Sequence, residues 1–519
     1  MTTKQKHFLS EKSATILAVF IAGLCSIIYE LLISTTTSYF LGDSIKQFSI
    51  TIGVYMAAMG LGSYWSKYFE RDILSKFVLV ELSLGTIGGL SVPILYYFFE
   101  YLDRFDYQML TITLIAIIGT LTGLEIPLLA RIMKQYYPLK VNLANVLSLD
   151  YLGALLATLL FPFILLPFLG IFRSSVFFGM VNIALGLFIL WFFSAYLTKS
   201  TRNRMQLAAS LSMLLFVALI VFTKPLLDRW DDQAFTHRII FSKQTPYQHL
   251  VMTKNKADVR LYINRIIQFS SLDEYRYHEA LALVPLNVTP YPKQVLILGG
   301  GEGLLAREVL KHPAVEQVTI VDLDAEVFRL AKENKHLVKL NEDILHHPKV
   351  KTIATDAFNF LNDTPAFYDL ILADLPDPSN EAVARLYSTQ FFQLVQNRLS
   401  RQGVFATQAS GVFHTNAAFW CIHNTLQASG FQQVYPYHAY IPAFGDWGFI
   451  VAANHRLDVK DYRLDVPTRF LDKKTVAALF SFEKDLLPET ELAPNEIDRP
   501  TLLEYYLEDW VVWSKEVVK

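Results

Sequence analysis

Seven long apolar runs follow one another in the first 223 residues, and they restrict the fold of this chain more than any other feature. Each has close to the roughly 20 residues with which a helix crosses the hydrocarbon core of a bilayer. The runs cover residues 14–36, 48–66, 76–99, 108–133, 147–169, 172–197 and 206–223, the last being the shortest. A buried soluble core would not repeat this length seven times. We therefore predict a multi-span α-helical membrane domain over residues 1–225, with about seven helices in a lipid bilayer.

The charged residues divide the chain at the same place. Only 26 of the first 223 residues are charged, against 68 of the remaining 296. The second fraction is close to the roughly 25% of an ordinary soluble protein. This second part carries a net charge of −6, so no basic surplus indicates binding to nucleic acid. Cys25 and Cys421 lie far apart and predict no disulfide framework.

Basic residues between the apolar runs indicate an orientation in the membrane. They are concentrated before the first run and after the second, fourth and sixth: Lys4, Lys6, Lys12, Lys67, Arg71, Lys76, Arg131, Lys134, Lys140, Lys199, Arg202 and Arg204. Because cytoplasmic loops are enriched in Lys and Arg, the N-terminus is expected in the cytoplasm. Seven crossings would then place the second part of the chain on the opposite side.

Four carboxylates fall in or near the apolar runs: Glu30, Glu81, Glu125 and Asp150. Acids within a membrane are costly and are candidates for function, although pairing with nearby basic residues such as Arg131 would also explain them. Glu125 stands in the segment Gly123–Pro127, where a proline should bend the helix and free backbone groups. Glu125 and Asp150 are therefore the candidate site of the membrane domain, for a polycation or a proton.

The second part changes to strand and helix patterns. His249–Thr253 and Arg260–Ile263 predict short strands, and an acidic start at Asp273 predicts a helix. We expect a small β segment over residues 236–290 and an α/β domain over residues 291–455. Residues 456–519 should form a helical C-terminal tail.

A glycine-rich turn opens the α/β domain. The apolar strand Gln294–Leu298 enters Gly299–Gly303, and helix-forming residues follow. The next strand ends at Asp322, 19 residues after Gly303. Glycines let a ligand approach the backbone at such a turn, and an acid at this distance binds ribose. The pattern predicts a nucleoside site in a Rossmann-like domain.

Four successive predicted strands lead into acids, namely Glu302, Asp322, Asp356 and Asp374. Ligands of open α/β sheets lie beyond the carboxyl ends of the strands. A single acid there would be explained as a helix N-cap, but four favour a cationic ligand beside the nucleoside. Prolines stiffen the Asp374–Pro378 loop, and Tyr277 could add a cation–π contact.

Several of these motifs resemble one family. The segments concerned are Tyr247-Gln248, Gln268–Ser270, Asp273–Glu279, Gly299–Gly303, Asp356-Ala357 and Asp374–Pro378. Over about residues 236–453 they resemble the spermidine synthases, which are polyamine aminopropyltransferases. The apolar first part, together with Leu386–Ser388 and Phe444–Phe449, resembles the bacterial multi-pass membrane branch of that family.

The resemblance implies a class I methyltransferase-type fold and transfer of the aminopropyl group of decarboxylated S-adenosylmethionine to putrescine or a related amine. Spermidine and 5′-methylthioadenosine would be the products, with no metal, and the catalytic domain would form a homodimer. Asp374 would be the catalytic proton acceptor. The nucleoside donor would be held by Gln248, Gly299, Gly301, Glu302, Gly303, Asp322, Asp356 and Ala357. The amine would be bound by Gln268, Tyr277, His278, Glu302, Asp374 and Asp377.

Three positions depart from the family pattern. Glu302 replaces an aspartate, Asp322 replaces a glutamate at the ribose position, and Phe444 stands where many soluble members have tyrosine. Two other functions stay open: an N-methyltransferase that uses intact S-adenosylmethionine, and a polyamine-binding or polyamine-transporting membrane protein without turnover. The donor is cytosolic, so an enzyme should face the cytoplasm at the cell membrane, which conflicts with the charge count over seven spans.

Overall fold

The computed structural model describes residues 11–41, 44–99, 101–134, 136, 138–235, 237–459, 461–488 and 490–517. The chain forms two compact units, Met1–Trp230 and Asp231–Lys519. Lys4 and Lys6, which contribute to the predicted orientation, lie outside the described residues.

The first unit is helical, and its helices coincide with the seven apolar runs. They are α1 (Glu11–Leu41), α2 (Ser44–Trp65), α3 (Ile73–Phe98), α4 (Arg104–Met133), α5 (Leu139–Leu160), α6 (Gly170–Phe192) and α7 (Lys199–Ala234). A π-helical segment, Phe161–Leu169, joins α5 to α6. The expectation that the last helix is the shortest is wrong, because α7 has 36 residues. Its polar ends continue the helix beyond the apolar run.

Close backbone contacts and hydroxyl groups hold these helices together. A Cβ atom at Gly123 would lie 2.1 Å from the carbonyl oxygen of Met59, so α2 and α4 meet where glycine leaves room. Pro127 cannot donate to the carbonyl of Gly123, and the hydroxyl of Ser63 donates to that oxygen at 2.8 Å instead. The expected free backbone group near Glu125 is therefore present and satisfied by a neighbouring helix.

Five helical segments of the described residues are long and apolar enough to cross a membrane. They are Glu11–Leu41, Ile73–Phe98, Phe105–Met133, Lys140–Phe192 and Lys199–Thr223. The fourth has 53 residues and contains the break at Gly170, where φ is +72°. Large apolar side chains also point outward from this unit, and Met56, Leu155, Phe163 and Leu214 are each more than half exposed.

The second unit begins with a four-stranded antiparallel sheet in chain order. Its strands are β1 (Arg238–Gln244), β2 (His249–Asn255), β3 (Asp258–Ile263) and β4 (Ile266–Ser270). The two inner strands match the predicted ones, and the outer two extend the predicted β segment. Helix α8 (Glu274–Val288) follows, as the acidic start predicted.

A seven-stranded sheet forms the centre of this unit, with the order β10-β11-β9-β8-β5-β6-β7. The strands are β5 (Gln294–Gly299), β6 (Gln317–Asp322), β7 (Val350–Ala354), β8 (Tyr368–Asp374), β9 (Leu399–Gly411), β10 (Gln433–Ile441) and β11 (Gly445–Ala453). β5 to β9 are parallel, and β11 and β10 complete the sheet in antiparallel pairs. This is the Rossmann-like α/β fold that the sequence predicts.

Helices cover both faces of the sheet. They are α9 (Leu304–Val309), α10 (Ala325–Glu333), α11 (Lys335–Asn341), α12 (Ala357–Asp363), α13 (Glu381–Ala384), α14 (Thr389–Arg398), α15 (Asn416–Ala428), α16 (Lys473–Leu479) and α17 (Thr501–Val517). Successive strand residues alternate between the faces. Ile297 and Leu372 belong to one fully buried cluster, and Leu298 and Ile371 to the other. Burial on both faces explains why these strands are continuously apolar.

Candidate active site

The glycine turn lies beside the end of β8. The register of β5 and β8 pairs Gly299 with Asp374. Gly299 has a φ of +82°, and a Cβ atom there would lie 2.0 Å from the carbonyl oxygen of Asp374. Glycine is required on both counts, because other residues rarely adopt this φ and no side chain fits. The carboxylate of Asp374 therefore lies against the glycine turn, where a Cβ atom at Gly300 would be 3.1 Å from its Oδ2.

Helix α8 supplies the hydrogen-bond partner of that carboxylate. The hydroxyl of Tyr277 donates to Oδ1 of Asp374 at 2.7 Å. Tyr277 is 7% exposed, and its ring packs edge-on against Phe449 and Phe444, with centroids 5.2 and 6.0 Å away. The aromatic contacts fix the ring, so the hydroxyl is held in place. Phe444 thus packs beside the acid but has no hydroxyl to offer.

His278 is held between two acids. Its Nδ1 lies 2.8 Å from Oε2 of Glu274, and its Nε2 lies 3.8 Å from Oε1 of Glu302. Burial would lower the pKa of His278, but the hydrogen bond with Glu274 and the nearby carboxylate of Glu302 raise it to about 10. The imidazole is therefore protonated at neutral pH.

A buried arginine, Arg307, binds the carboxylate of Glu274. Nη2 of Arg307 lies 3.0 and 2.9 Å from the two carboxylate oxygens of Glu274. Burial would raise the pKa of Glu274, but its interactions with His278 and Arg307 outweigh burial and lower it to about 2. Glu274 is thus a charged support for His278. Sequence reasoning missed it, although it lies four residues before His278, within hydrogen-bond reach on one helix.

Tyr277, His278, Glu302 and Asp374 together form what we call the acid cluster. One ring nitrogen of His278 and one carboxylate oxygen each of Glu302 and Asp374 lie within 4.8 Å of one another. Burial and the charge of Glu302 raise the pKa of Asp374 to about 7, against the opposing effects of His278 and Tyr277. Asp374 can therefore exchange a proton near neutral pH.

Asp322 faces the glycine turn from the end of β6. Its Oδ2 accepts a hydrogen bond from the backbone N–H of Gly301 at 3.2 Å, and its Oδ1 accepts one from Asp324 at 3.0 Å. Burial raises the pKa of Asp322 to about 6. Gln248 reaches this region differently from the prediction, since its Nε2 donates to Oδ2 of Asp324 at 3.2 Å. The sequence prediction did not include Asp324.

Asp356 has two structural partners at the end of β7. It caps α12, accepting a hydrogen bond from the N–H of Asn359 at 3.0 Å, and it forms an ion pair with Arg385. Ala357 is the first residue of that helix. The N-cap explanation weighed for a single acid therefore applies to Asp356, and its Arg385 partner was not predicted.

Asp377 lies on the loop after Asp374 and contacts the C-terminal tail. Its Oδ2 accepts a hydrogen bond from the hydroxyl of Tyr506 at 3.1 Å. Burial raises the pKa of Asp377 to about 6. Sequence patterns gave no signal for Tyr506, because it lies 129 residues from Asp377.

Gln268 hydrogen-bonds within its own strand, where Nε2 donates to the carbonyl of Ile266 at 3.2 Å.

Glu125, predicted for the membrane domain, is buried beside Glu81 in the first unit. Asp150 lies against α1, where a Cβ atom at Gly23 would be 2.5 Å from its Oδ1. Arg131 donates to the carbonyl of Phe69 at 2.9 Å and to the hydroxyl oxygen of Ser66 at 3.3 Å.

The second unit has a Rossmann-like fold of the methyltransferase type, and the acid cluster lies beside its glycine turn at the end of β8. The family described as "Spermine/spermidine synthase domain" matches residues 274–461. A polyamine aminopropyltransferase of Leptospira interrogans is 39% identical over 504 residues, which cover 96% of this chain and 99% of its own. Polyamine aminopropyltransferase 2 of Ralstonia nicotianae is 41% identical over 95% and 98% of the two chains.

The chain therefore belongs to the polyamine aminopropyltransferase family, and the prediction of an aminopropyltransferase-type enzyme is confirmed. A crystal structure of a spermidine synthase in complex with the transition state analogue AdoDATO is 25% identical, covers 48% of this chain and 87% of its own, and has a TM-score of 0.45.

Proposed function

We propose that this enzyme transfers the aminopropyl group of decarboxylated S-adenosylmethionine to putrescine or a related amine, giving spermidine and 5′-methylthioadenosine. The acid cluster beside the glycine turn is the observation that carries the proposal. It sets an acid with a pKa of about 7, Asp374, next to a place where a nucleoside can approach the backbone. Family membership supports the same reaction class.

The nucleoside half of the donor would lie along the ends of β5, β6 and β7. Asp322 would bind the ribose hydroxyls, since its carboxylate already faces the N–H of Gly301. Asp356 and Ala357 would border the adenine at the start of α12. Gln248 would support this end through Asp324.

The chemical step would be a displacement at the carbon next to the sulfonium. The amine nitrogen donates its lone pair to that carbon, the carbon–sulfur bond breaks, and its electron pair stays on the sulfur of methylthioadenosine. A protonated amine is not a nucleophile, so one proton passes to Asp374. Because the sulfonium is a good leaving group, the alignment of the two substrates supplies much of the remaining rate.

The charges of the acid cluster favour organic cations over a metal ion. A metal ion at His278 would have to displace the proton of the imidazole, whose pKa is raised to about 10. The carboxylates of Glu302 and Asp374 attract the amine and the sulfonium. Glu302 would also repel the carboxylate of intact S-adenosylmethionine, which argues against the methyltransferase alternative.

We also propose that the first unit spans a membrane and that the catalytic unit faces the cytoplasm. Five long apolar segments and outward-facing apolar side chains support membrane insertion. The cytoplasmic side is proposed because the nucleoside donor would be cytosolic, whereas the basic loops counted over seven crossings indicate the opposite side. A reporter fused after residue 519 checks this, and activity of a periplasmic reporter alone would contradict it.

Asp374→Asn tests the proposed reaction. The release of methylthioadenosine from decarboxylated S-adenosylmethionine and putrescine should fall at least 100-fold, because the proton acceptor is lost. Asp363→Asn is the matched control, since it changes an exposed aspartate. Unchanged turnover in Asp374→Asn would contradict the assignment of Asp374 as the proton acceptor.

Calorimetry tests the proposed role of Glu302 in donor selection. Wild type should bind decarboxylated S-adenosylmethionine more tightly than intact S-adenosylmethionine, and Glu302→Gln should reduce this difference in affinity.

A further inference from the structure

Most of the C-terminal tail, residues 462–519, lies beyond the family match, which ends at residue 461, yet the tail reaches the loop that carries Asp377. Tyr506 of α17 is 5% exposed, and its hydroxyl donates to Oδ2 of Asp377 at 3.1 Å. Oδ1 of Asp377 is also buried and accepts no hydrogen bond from the described residues. One oxygen is thus held by the tail, and the other is left for a ligand.

Helix α17 is fixed to the catalytic unit on the face that carries Tyr506. Asp509, one helical turn further on, accepts hydrogen bonds from the N–H groups of Ala417 and Ala418 at 3.1 and 3.4 Å, at the start of α15. Leu502, one turn earlier, is fully buried. The position of the Tyr506 hydroxyl is therefore set by the fold of the catalytic unit.

A buried asparagine joins the tail to the segment after the acid loop. Nδ2 of Asn495 donates to the carbonyl of Ala384 on α13 at 2.9 Å, and its Oδ1 accepts from the N–H of Leu502 at 3.3 Å. Asn495 is 1% exposed. The start of α17 and the segment that follows Asp377 are consequently held by the same side chain.

Other side chains hold the backbone of the acid loop. The hydroxyl of Tyr387 donates to the carbonyl of Pro376 at 3.1 Å, and Nε2 of Gln408 donates to the carbonyl of Leu375 at 2.7 Å. Tyr506 donates to the carboxylate of Asp377 itself. Its hydroxyl can therefore set the direction of Asp377 within a loop whose backbone is already fixed.

We propose that Tyr506 is a positioning residue of the amine-acceptor site, which holds Asp377 so that its second oxygen binds an ammonium group of the acceptor. The inference rests on the proposed function, in which Asp377 binds the amine. It gives the C-terminal tail a role in acceptor binding. Donor binding and the proton transfer at Asp374 do not involve Tyr506.

Steady-state kinetics of Tyr506→Phe in the full chain tests this role, since the substitution removes one oxygen atom and keeps the ring. KM for putrescine should rise roughly tenfold, because a hydrogen bond to a charged group is lost. kcat and KM for the donor should change less than about threefold. Tyr505→Phe is the matched control: it removes a neighbouring hydroxyl that contacts Ala493 within the tail, and all its constants should match wild type.

A pH series and a double-mutant cycle separate positioning from a general loss of structure. The Tyr506 hydrogen bond favours the charged carboxylate of Asp377, so its loss should raise the pKa of Asp377. KM for the acceptor should increase at low pH, where Asp377 becomes protonated. In Tyr506→Phe this increase should begin at a higher pH than in wild type. In an Asp377→Asn background, Tyr506→Phe should add little further loss. An unchanged acceptor KM, or full additivity of the two substitutions, would overturn the inference. If the wild-type enzyme transfers no aminopropyl group in the same assay, the proposed function itself is refuted.

Discussion

Tyr277 and Asp374 are 97 residues apart in sequence, and the hydroxyl of the first donates to the carboxylate of the second at 2.7 Å. The tyrosine comes from α8 and the aspartate from the end of β8. This hydrogen bond favours the charged carboxylate, whereas burial and Glu302 favour the neutral acid. Their balance sets the proton affinity of the proposed catalytic acceptor.

The pH dependence of wild-type activity should follow from that balance. Asp374 must be unprotonated to accept a proton, and its pKa in the free enzyme is raised to about 7. kcat/KM for aminopropyl transfer should therefore increase with pH, with a midpoint near 7. A bound sulfonium would favour the charged carboxylate, so the midpoint of kcat should lie lower. A flat kcat/KM profile between pH 5 and 8 would contradict the assignment.

Tyr277→Phe should move that profile upward. Loss of the hydrogen bond to the charged carboxylate raises the pKa of Asp374, so the rising limb of kcat/KM should shift to higher pH by about one unit. At pH 7 the rate should fall several-fold, and at high pH it should approach wild type. Tyr291→Phe changes an exposed tyrosine and is the matched control. An equal loss of kcat/KM at every pH would show that the Tyr277 hydroxyl does not act through the pKa of Asp374.

Asp374→Asn should stabilise the protein at alkaline pH. The folded-state pKa of about 7 exceeds the usual value near 4, so the folded protein binds this proton more tightly than the unfolded chain. The tighter binding of this proton therefore contributes fully to folding stability below about pH 4, and this contribution is lost as the pH rises through 7. Thermal unfolding should show a higher Tm for Asp374→Asn than for wild type at pH 8, and similar values near pH 4. A lower Tm at pH 8 would contradict the predicted cost of burying this charge.

Arg307→Lys should destabilise the catalytic unit. Arg307 is 9% exposed and contacts both oxygens of Glu274, a geometry that lysine cannot reproduce. Breaking a buried ion pair costs about 3–5 kcal/mol, and the partial loss here should lower Tm by several degrees. Arg329→Lys, in an exposed helical ion pair, should leave Tm unchanged. Equal Tm values for the two variants would show that Glu274 does not depend on Arg307.

Gly299→Ala should abolish activity. The added methyl group would lie 2.0 Å from the carbonyl of Asp374, and the φ of +82° disfavours alanine. Gly411→Ala is the control, because its nearest neighbour would lie at an ordinary 3.4 Å. Activity and circular dichroism of both variants check this. Wild-type kinetics of Gly299→Ala would mean that the glycine turn is not needed at this position.

The sequence by itself determined the two-part organisation and the position of the acids. Apolar runs mark the helices of the first unit, and continuous apolar strands mark a sheet that is buried on both faces. Strand ends place Asp322 and Asp374 at one edge, because parallel strands share their direction. These features depend on local composition and spacing, so they can be recognised without a structure.

Only the tertiary structure decided which side chains contact those acids. The Arg307–Glu274 ion pair, the Arg385 partner of Asp356 and the Tyr506 contact with Asp377 join residues from different elements. No sequence period links α17 to the acid loop, because the packing of α17 against α15 brings them together. The pKa of Asp374 is likewise a property of the folded state, since burial and the charge of Glu302 exist only after folding.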